Sequence, residues 1–477
     1  MENWLMYAAE AAVWFVVAYM IAVSLLYVGL FLTAVPKIRR ERKLNRKEQI
    51  EELSFHKDTY PLSILVPAYN EEVGITTSIR SLLSVHYPEY EVIVINDGSK
   101  DATAEKVIHE FAMTKVTYSV RKHMTTEAVT AVYQSELFPQ LFLLEKENGG
   151  KADALNAGIN FSRYPYFAAI DADSVLEEDA LLKTMKPIID SNGKVTVTGG
   201  TVRIANGCEI DGSVIKRISL PKKPLEIMQI IEYFRGFLIG RLGFSRANML
   251  LIVSGAFGVF EKSRVIQVGG YDTGTVGEDM ELIVRIHRSL RDEQSSQRIE
   301  YIQDPVCWTE APSSAKVLRA QRVRWQRGLA ETLFKHKKMI FNPAYGRLGM
   351  ISMPYYLFVE LLSAVFELLG YVIILFGIFY FAETNTELIV MIFFATVLYG
   401  SLLSSFAVLL EEWTYHKYED IKSLYVLYLC ALTESFWYRP LTVFYRINGL
   451  IAFFKKSPAW GDMQRRGLAG KELKREE

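Results

Sequence analysis

Hydrophobic and polar positions fall into three regimes along this chain. From Ala11 to Val35 the run AAVWFVVAYMIAVSLLYVGLFLTAV carries no charge. About 20 consecutive apolar residues suffice to cross a bilayer, so the run predicts a spanning helix. It is too long for the apolar part of a cleaved signal peptide, and no basic region precedes it. Between about 60 and 340, short apolar runs alternate with amphipathic stretches. PLSILVPAYN, YEVIVINDGS, QLFLLEKENGG and PYFAAIDADS each read as a strand ending in polar or small residues, with helical patterns at 73–85, 101–112 and 151–162. Strand–helix alternation predicts an α/β fold with a parallel, doubly wound sheet. Beyond residue 350 long apolar stretches return at Pro354 to Ala382, Leu388 to Leu410 and Ser423 to Phe454, interrupted by Glu360, Glu367, Glu434, Arg439 and Arg446. Such groups are costly in a membrane unless they line a bundle interior or polar path, or, as an alternative for Glu360 and Arg446, snorkel to the interface.

Charge then sets an orientation. Lys37, Arg39, Arg40, Arg42, Lys43, Arg46 and Lys47 follow the first apolar run, and the tail holds Lys455, Lys456, Arg465, Arg466, Lys471 and Lys474. Positive flanks stay in the cytoplasm. The expected layout is a spanning helix at 1–36, a basic cytoplasmic linker at 37–59, a cytoplasmic catalytic domain at 60–345, spanning and interfacial helices at 346–456 and a basic cytoplasmic tail at 457–477. The protein is thus expected as a multi-pass protein of the cell membrane, in contact with its lipids.

Composition adds exclusions. Lysine plus arginine and aspartate plus glutamate each number 54 among 477 residues, which leaves no basic excess for nucleic acid. An aromatic content of 13% excludes disorder. Cys208, Cys307 and Cys430 have no paired spacing, so neither a zinc site nor a disulfide framework is expected.

Ligands in open parallel sheets sit at the carboxyl ends of strands. The four predicted strands place Asn70 and Glu71, Asn96 and Asp97, Lys151, and Asp171 and Asp173 there. Asp101 by itself reads as a helix cap. Neither a Walker loop nor a dinucleotide fingerprint is present, so nucleotide hydrolysis and dinucleotide redox chemistry are disfavoured. Asp171 and Asp173, two apart in an extended segment, project to one side, which suits magnesium or manganese shared with ligand phosphates. Downstream, GGYDTGTVGEDMELIVRIHR puts Glu278 and Asp279 at a helix start, a position that the helix dipole alone also favours for acids. In RAQRVRWQRGL, Gln321, Arg324 and Trp325 share a helix face, while Arg319, Arg322 and Arg327 suit anionic headgroups. VSGAFGVF reads as a buried strand or a pocket wall.

VPAYNEE, VINDGS, NGGKADALN, DADS, GED and QRVRW, in this order and spacing, resemble the membrane-bound processive β-glycosyltransferases of family 2. That group includes cellulose, hyaluronan and poly-β-1,6-N-acetylglucosamine synthases, and the chain looks closer to the last branch than to bacterial cellulose synthases. The resemblance implies a GT-A type nucleotide-sugar domain between N- and C-terminal transmembrane helices. It implies that Ala68, Tyr69, Glu71 and Asp97 hold the uridine of a UDP-sugar, that Lys151 lies near the donor, and that Asp171 and Asp173 bind Mg2+ or Mn2+ and the diphosphate. Asp279 would be the general base, with Glu278 beside it. Arg324 would bind the pyrophosphate, and Gln321, Trp325, Gly255, Ala256 and Phe257 would form the acceptor side. The implied reaction inverts an α-linked UDP-N-acetylglucosamine or UDP-glucose into a β-linked polysaccharide, coupled to export, with room for accessory subunits. Transfer of one sugar to a lipid acceptor is the alternative. An inactive transport or scaffolding component is a third reading. GED replaces the T-E-D of cellulose synthases, and the stretch 115–140 matches no family motif.

Overall fold

The computed structural model describes residues 2–45, 59–118, 121–211, 214–380, 399–415 and 420–455, with single positions at 387, 390, 417 and 418. The expected linker over 46–58, the tail over 457–477 and most of 381–398 lie outside the described residues. Contacts divide the described residues into two compact units, one within 40–221 and Leu250–Ala311, the other within 2–39, Lys222–Met249 and 312–455. Segments 222–249 and 312–345, which the sequence groups with the α/β domain, thus pack with the apolar helices.

The α/β unit is built on a ten-stranded sheet of order β3-β4-β5-β2-β1-β6-β11-β8-β12-β7. Its strands are β1 (Leu62–Ala68), β2 (Tyr90–Asp97), β3 (Met113–Lys115), β4 (Val129–Ser135), β5 (Leu141–Lys146), β6 (Tyr166–Ile170), β7 (Ser174–Leu176), β8 (Val195–Ile204), β11 (Phe257–Glu261) and β12 (Arg298–Thr309). A separate antiparallel ribbon pairs β9 (Glu209–Asp211) with β10 (Val214–Arg217). β5, β2, β1 and β6 run parallel, as the strand–helix alternation predicts. β11 enters antiparallel between β6 and β8. The central strands read as unbroken apolar runs because helices cover both faces of a parallel sheet, and Leu62, Ile64, Leu65, Val92 to Ile95 and Leu141 are fully buried.

The connecting helices are α1 (Ile75–Leu83), α2 (Thr103–Glu110), α3 (Lys151–Phe161), α4 (Ala180–Asp190), α5 (Lys262–Gln267) and α6 (Glu278–Asp292). The stretch 115–140 supplies β4 and folds onto α3. Asn160 Oδ1 accepts the backbone N–H groups of His123 and Met124, and Asp153 accepts that of Glu127.

The second unit is helical. Two of its helices, Ala11–Leu32 and Leu348–Leu375, are long and apolar enough to cross a membrane. The last described helix, Ile421–Phe454, carries the charges that interrupt its apolar run. Each has a partner inside the unit. Arg235 donates to Glu434 at 3.0 Å and to Ser404 at 2.7 Å; Arg439 donates to Glu367 at 2.7 and 2.9 Å. Glu360 accepts from the Tyr355 hydroxyl at 2.9 Å, and Arg446 donates to Gln326 at 3.0 Å and Ser363 at 2.9 Å. For Arg446, hydrogen bonds to other helices replace the snorkelling alternative and spare it an unanswered burial, whereas the Glu360 bond to Tyr355 lies within its own helix.

Candidate active site

Strand register brings the predicted polar residues to one edge. Ala68 stands opposite Asn96, and Asp97 opposite Lys146. The Asp97 carboxylate is buried and accepts four hydrogen bonds: Lys146 Nζ at 2.5 Å, Asn148 Nδ2 at 3.1 Å, Gly149 N at 3.0 Å and Gly150 N at 2.7 Å. It thereby fixes the turn that launches α3 and aims Lys151. Asn70 Oδ1 accepts Lys100 N at 2.9 Å, and Glu71 N donates to Thr103 Oγ1 at 2.9 Å, tying the loop after β1 to the loop after β2. Asp101 Oδ1 accepts Thr103 N at 3.0 Å, but the N-cap position is Ala102, so Asp101 braces the helix start from one residue further out instead of capping it. Tyr69 is exposed at the same edge.

Asp171 and Asp173 follow β6, but the segment is not extended. Ser174 N donates back to Asp171 O at 3.0 Å, so the two acids lie in a tight turn, and the side-to-side alternation expected of a strand does not apply. Asp171 N donates to Ala256 O at 3.2 Å because β11 begins beside the end of β6. Lys151 Nζ lies 2.5 Å from Asp171 Oδ1 and 3.7 Å from Glu278 Oε1, and donates to Gly255 O at 2.9 Å. Burial alone would lower the Lys151 ammonium, yet Asp171 and Glu278 together hold it above its ordinary value.

Asp279 lies in the first turn of α6, and its Oδ1 accepts the N–H of Met280 at 2.7 Å. A Cβ placed on Gly255 would come within 2.8 Å of Asp279 Oδ2, so only glycine fits there without moving that carboxylate. A cavity of about 10 Å³ among Lys151, Ser254, Gly255, Tyr271, Glu278 and Asp279 has room for one water-sized sphere. Phe257 is fully buried and faces the core rather than this cavity.

Gln321, Arg324 and Trp325 lie on the helix Ala315–Lys335 of the helical unit. Arg319 is exposed, but Arg322 is buried against Glu232 at 2.7 Å and Arg327 pairs with Glu331 at 2.7 Å. Facing lipid headgroups is thus excluded for Arg322 by its burial, and the Arg327 charge is already answered along its own helix.

The sequence reading passed over several residues. Tyr271 lines the cavity; burial, then Glu278, Asp279 and Asp171, push its hydroxyl well above the ordinary range, so it stands as a neutral phenol among acids. Asn156 holds it by both backbone groups, donating to Tyr271 O at 2.8 Å and accepting Tyr271 N at 2.7 Å. Both sit inside motifs already singled out, NGGKADALN and GGYDTGTVGED, where the acids drew attention first. Lys146 has no such signal, because a lysine at a strand end ordinarily faces water.

Carboxylates, one buried ammonium and a glycine wall at the carboxyl ends of a parallel sheet suit a ligand that brings its own negative charge together with a cation. Comparison with known proteins identifies the class. The family described as Glycosyl transferase family 2 matches residues 63–233, and Glycosyl transferase family group 2 matches residues 166–404. The chain belongs to the family 2 glycosyltransferases.

This glycosyltransferase is 32% identical over 298 residues, 62% of its own length and 60% of the relative's, to a poly-beta-1,6-N-acetyl-D-glucosamine synthase of Staphylococcus epidermidis. It is 30% identical over 279 residues, 57% of its length and 56% of the relative's, to the synthase of the same description from Staphylococcus aureus strain COL. The match therefore spans somewhat under two thirds of these curated relatives. Among solved structures, the mannosyltransferase PcManGT of Pyrobaculum calidifontis, in complex with GDP-Man and Mn2+, aligns with TM-score 0.49 and 17% identity over 93% of this chain and 99% of that one. TarS 1–349 of S. aureus, in complex with UDP-GlcNAc, aligns with TM-score 0.39 and 14% identity over 80% and 91%.

Proposed function

We propose that this family 2 glycosyltransferase moves a sugar from a UDP-sugar, UDP-N-acetylglucosamine or UDP-glucose, to a growing β-linked polysaccharide, with inversion, and keeps hold of the product. The observation that carries this reading is the convergence of Lys151, Asp171, Glu278 and Asp279 around Gly255. The synthase relatives support a polysaccharide product.

Asp279 accepts the proton of an acceptor hydroxyl as that oxygen attacks the anomeric carbon opposite the diphosphate. A single displacement converts an α-linked donor to a β-linked product. Glu278 and Asp171 hold the Lys151 ammonium beside that carboxylate. Ala68, Tyr69, Glu71 and Asp97 are assigned to the uridine end, Asp97 through the turn at Gly149 and Gly150. Arg324 is assigned to the leaving diphosphate. Gln321, Trp325, Gly255, Ala256 and Phe257 are assigned to the acceptor, Phe257 only by supporting the wall from behind.

Asp171 and Asp173 offer hard oxygen donors, and Asp171 already attracts a cation in the form of Lys151. Two such carboxylates would leave an ion to take its other ligands from phosphate oxygens and water. Mg2+ or Mn2+ bound there supplies Lewis-acid stabilisation of the departing diphosphate.

The apolar helices and the basic stretch after the first support a multi-pass protein in contact with membrane lipids, its α/β unit cytoplasmic. Purified protein in detergent, given each UDP-sugar in turn, should release UDP and build a β-linked polymer resolved by gel and linkage analysis. A product limited to one sugar on a lipid would replace this reading with single transfer, and no UDP release with any donor would end it.

A further inference from the structure

Trp325 is 44% exposed, and one face of its ring is occupied from within. The guanidinium carbon of Arg322, one helical turn earlier, lies 4.3 Å from the ring centroid. Arg322 is only 3% exposed. Its Nη2 donates to Glu232 Oε2 at 2.7 Å, and the Tyr438 hydroxyl donates to the same oxygen at 2.6 Å. Among the described residues, Nε and Nη1 of Arg322 are buried without hydrogen-bond partners. Burying a charged fork with two nitrogens unanswered is expensive, and the indole face is the compensating contact.

The next residue is held as firmly. Gln326 Nε2 donates to Leu361 O at 2.9 Å, and its Oε1 accepts from Arg446 Nε at 3.0 Å. At Gly449 the last described helix presses on the same turn, since a Cβ there would fall 2.7 Å from Gln326 Cβ and 2.8 Å from Val323 O. Trp325 therefore projects from a turn gripped on both sides by residues of Ile421–Phe454, Tyr438 through Glu232 and Arg446 directly.

We propose that Arg322, backed by Glu232 and Tyr438, is a positioning unit that stacks beneath the Trp325 ring and holds its outer face ready for the acceptor sugar. This rests on the reading of Trp325 as an acceptor platform. A fixed ring spares the acceptor the cost of ordering it, on the order of 0.5–1.5 kcal/mol for one side chain, which corresponds to roughly a 2- to 13-fold difference in acceptor affinity.

The test uses the full chain in detergent with a short β-linked oligosaccharide as acceptor. Arg322→Lys keeps the charge for Glu232 but loses the flat stacking surface. It should raise the acceptor KM about tenfold and leave the donor KM and acceptor-independent UDP release within twofold. In a Trp325→Ala background the same substitution should change nothing further. An acceptor KM within twofold of wild type, or an equal rise in the Trp325→Ala background, overturns the proposal. If Arg322→Lys does not fold, Tyr438→Phe, which removes a single hydroxyl, takes its place with an expected rise of about threefold and the same overturning outcomes. Acrylamide quenching of the Trp325 emission, taken as wild type minus Trp325→Phe, needs no substrate. Increased quenching in Arg322→Lys supports the positioning role and unchanged quenching overturns it, even if wild type shows no transfer and the functional reading itself falls.

Discussion

Replacing Gly255 by alanine separates stability from catalysis in a way the geometry makes quantitative. The added Cβ would lie 2.8 Å from Asp279 Oδ2 and 3.6 Å from its Cγ. Comfortable carbon–oxygen contact needs about half an ångström more, and the end of a carboxylate can yield because its terminal torsion is broad. Yielding should therefore cost under about 1 kcal/mol of folding energy. Oδ1 is tethered to Met280 N at 2.7 Å, so the strain is relieved by turning the carboxylate away from its present orientation. A displacement of 1 Å at a reacting group can cost about 100-fold in rate, and half of that on a logarithmic scale is roughly tenfold, or ~1.4 kcal/mol in the barrier. At saturating donor and acceptor, UDP release by Gly255→Ala should fall about tenfold, with the melting temperature within about 2 °C of wild type. An unchanged kcat would refute the claim that the position of Asp279 limits the reaction. A collapse in melting temperature would refute the claim that the carboxylate is the part that moves.

Asp279→Asn should lower transfer by at least about 100-fold while UDP binding by calorimetry stays near wild type; substantial polymer formation would remove Asp279 as the base. Chelating divalent metal should stop transfer, and Mn2+ paramagnetic resonance should report weaker binding with UDP present in Asp173→Asn, whereas full activity in excess chelator would exclude a metal role for the pair. Asp97→Ala removes the close counter-charge of the buried Lys146 ammonium, which keeps the Glu147 carbonyl and a longer contact to Asp153 at 3.7 Å; the expected loss is about 3 kcal/mol, a drop of roughly 10 °C in melting temperature, and an unmoved melting curve would count against that account. Burial lowers His287 from 6.5 to about 4, with Nε2 donating to Leu250 O at 2.8 Å. Its contribution is therefore complete above pH 6.5 and is lost as pH falls towards 4, a decline of ~3 kcal/mol that His287→Gln should flatten in denaturant titrations.

The central parallel sheet was legible because apolar runs ending in polar residues have one economical arrangement, and strands β1, β2, β5 and β6 align at those ends as expected. The helix starts were near the mark, with α1 at Ile75, α2 at Thr103 and α3 at Lys151. The turn at Asp171 and Asp173 was misread as extended because the apolar run does not mark where β6 stops, and the return bond from Ser174 N to Asp171 O ends the strand at Ile170. Arg322 shows the harder limit. On a helix wheel it is one more cation of a basic stretch, and only Glu232, 90 positions earlier, and Tyr438, 116 later, turn it inward. Charge type is written locally, but the sign that answers it is chosen by distant chain.

The ion pairs of the helical unit also bear on how the chain is made. Arg235 and Glu367 find their opposite charges on Glu434 and Arg439, both carried by the helix Ile421–Phe454. A nascent chain emerging from the ribosome presents the early partners long before the late ones exist. Until that helix arrives, these side chains must stay in water or at a lipid boundary, so its docking is a single committing event for the preceding helices.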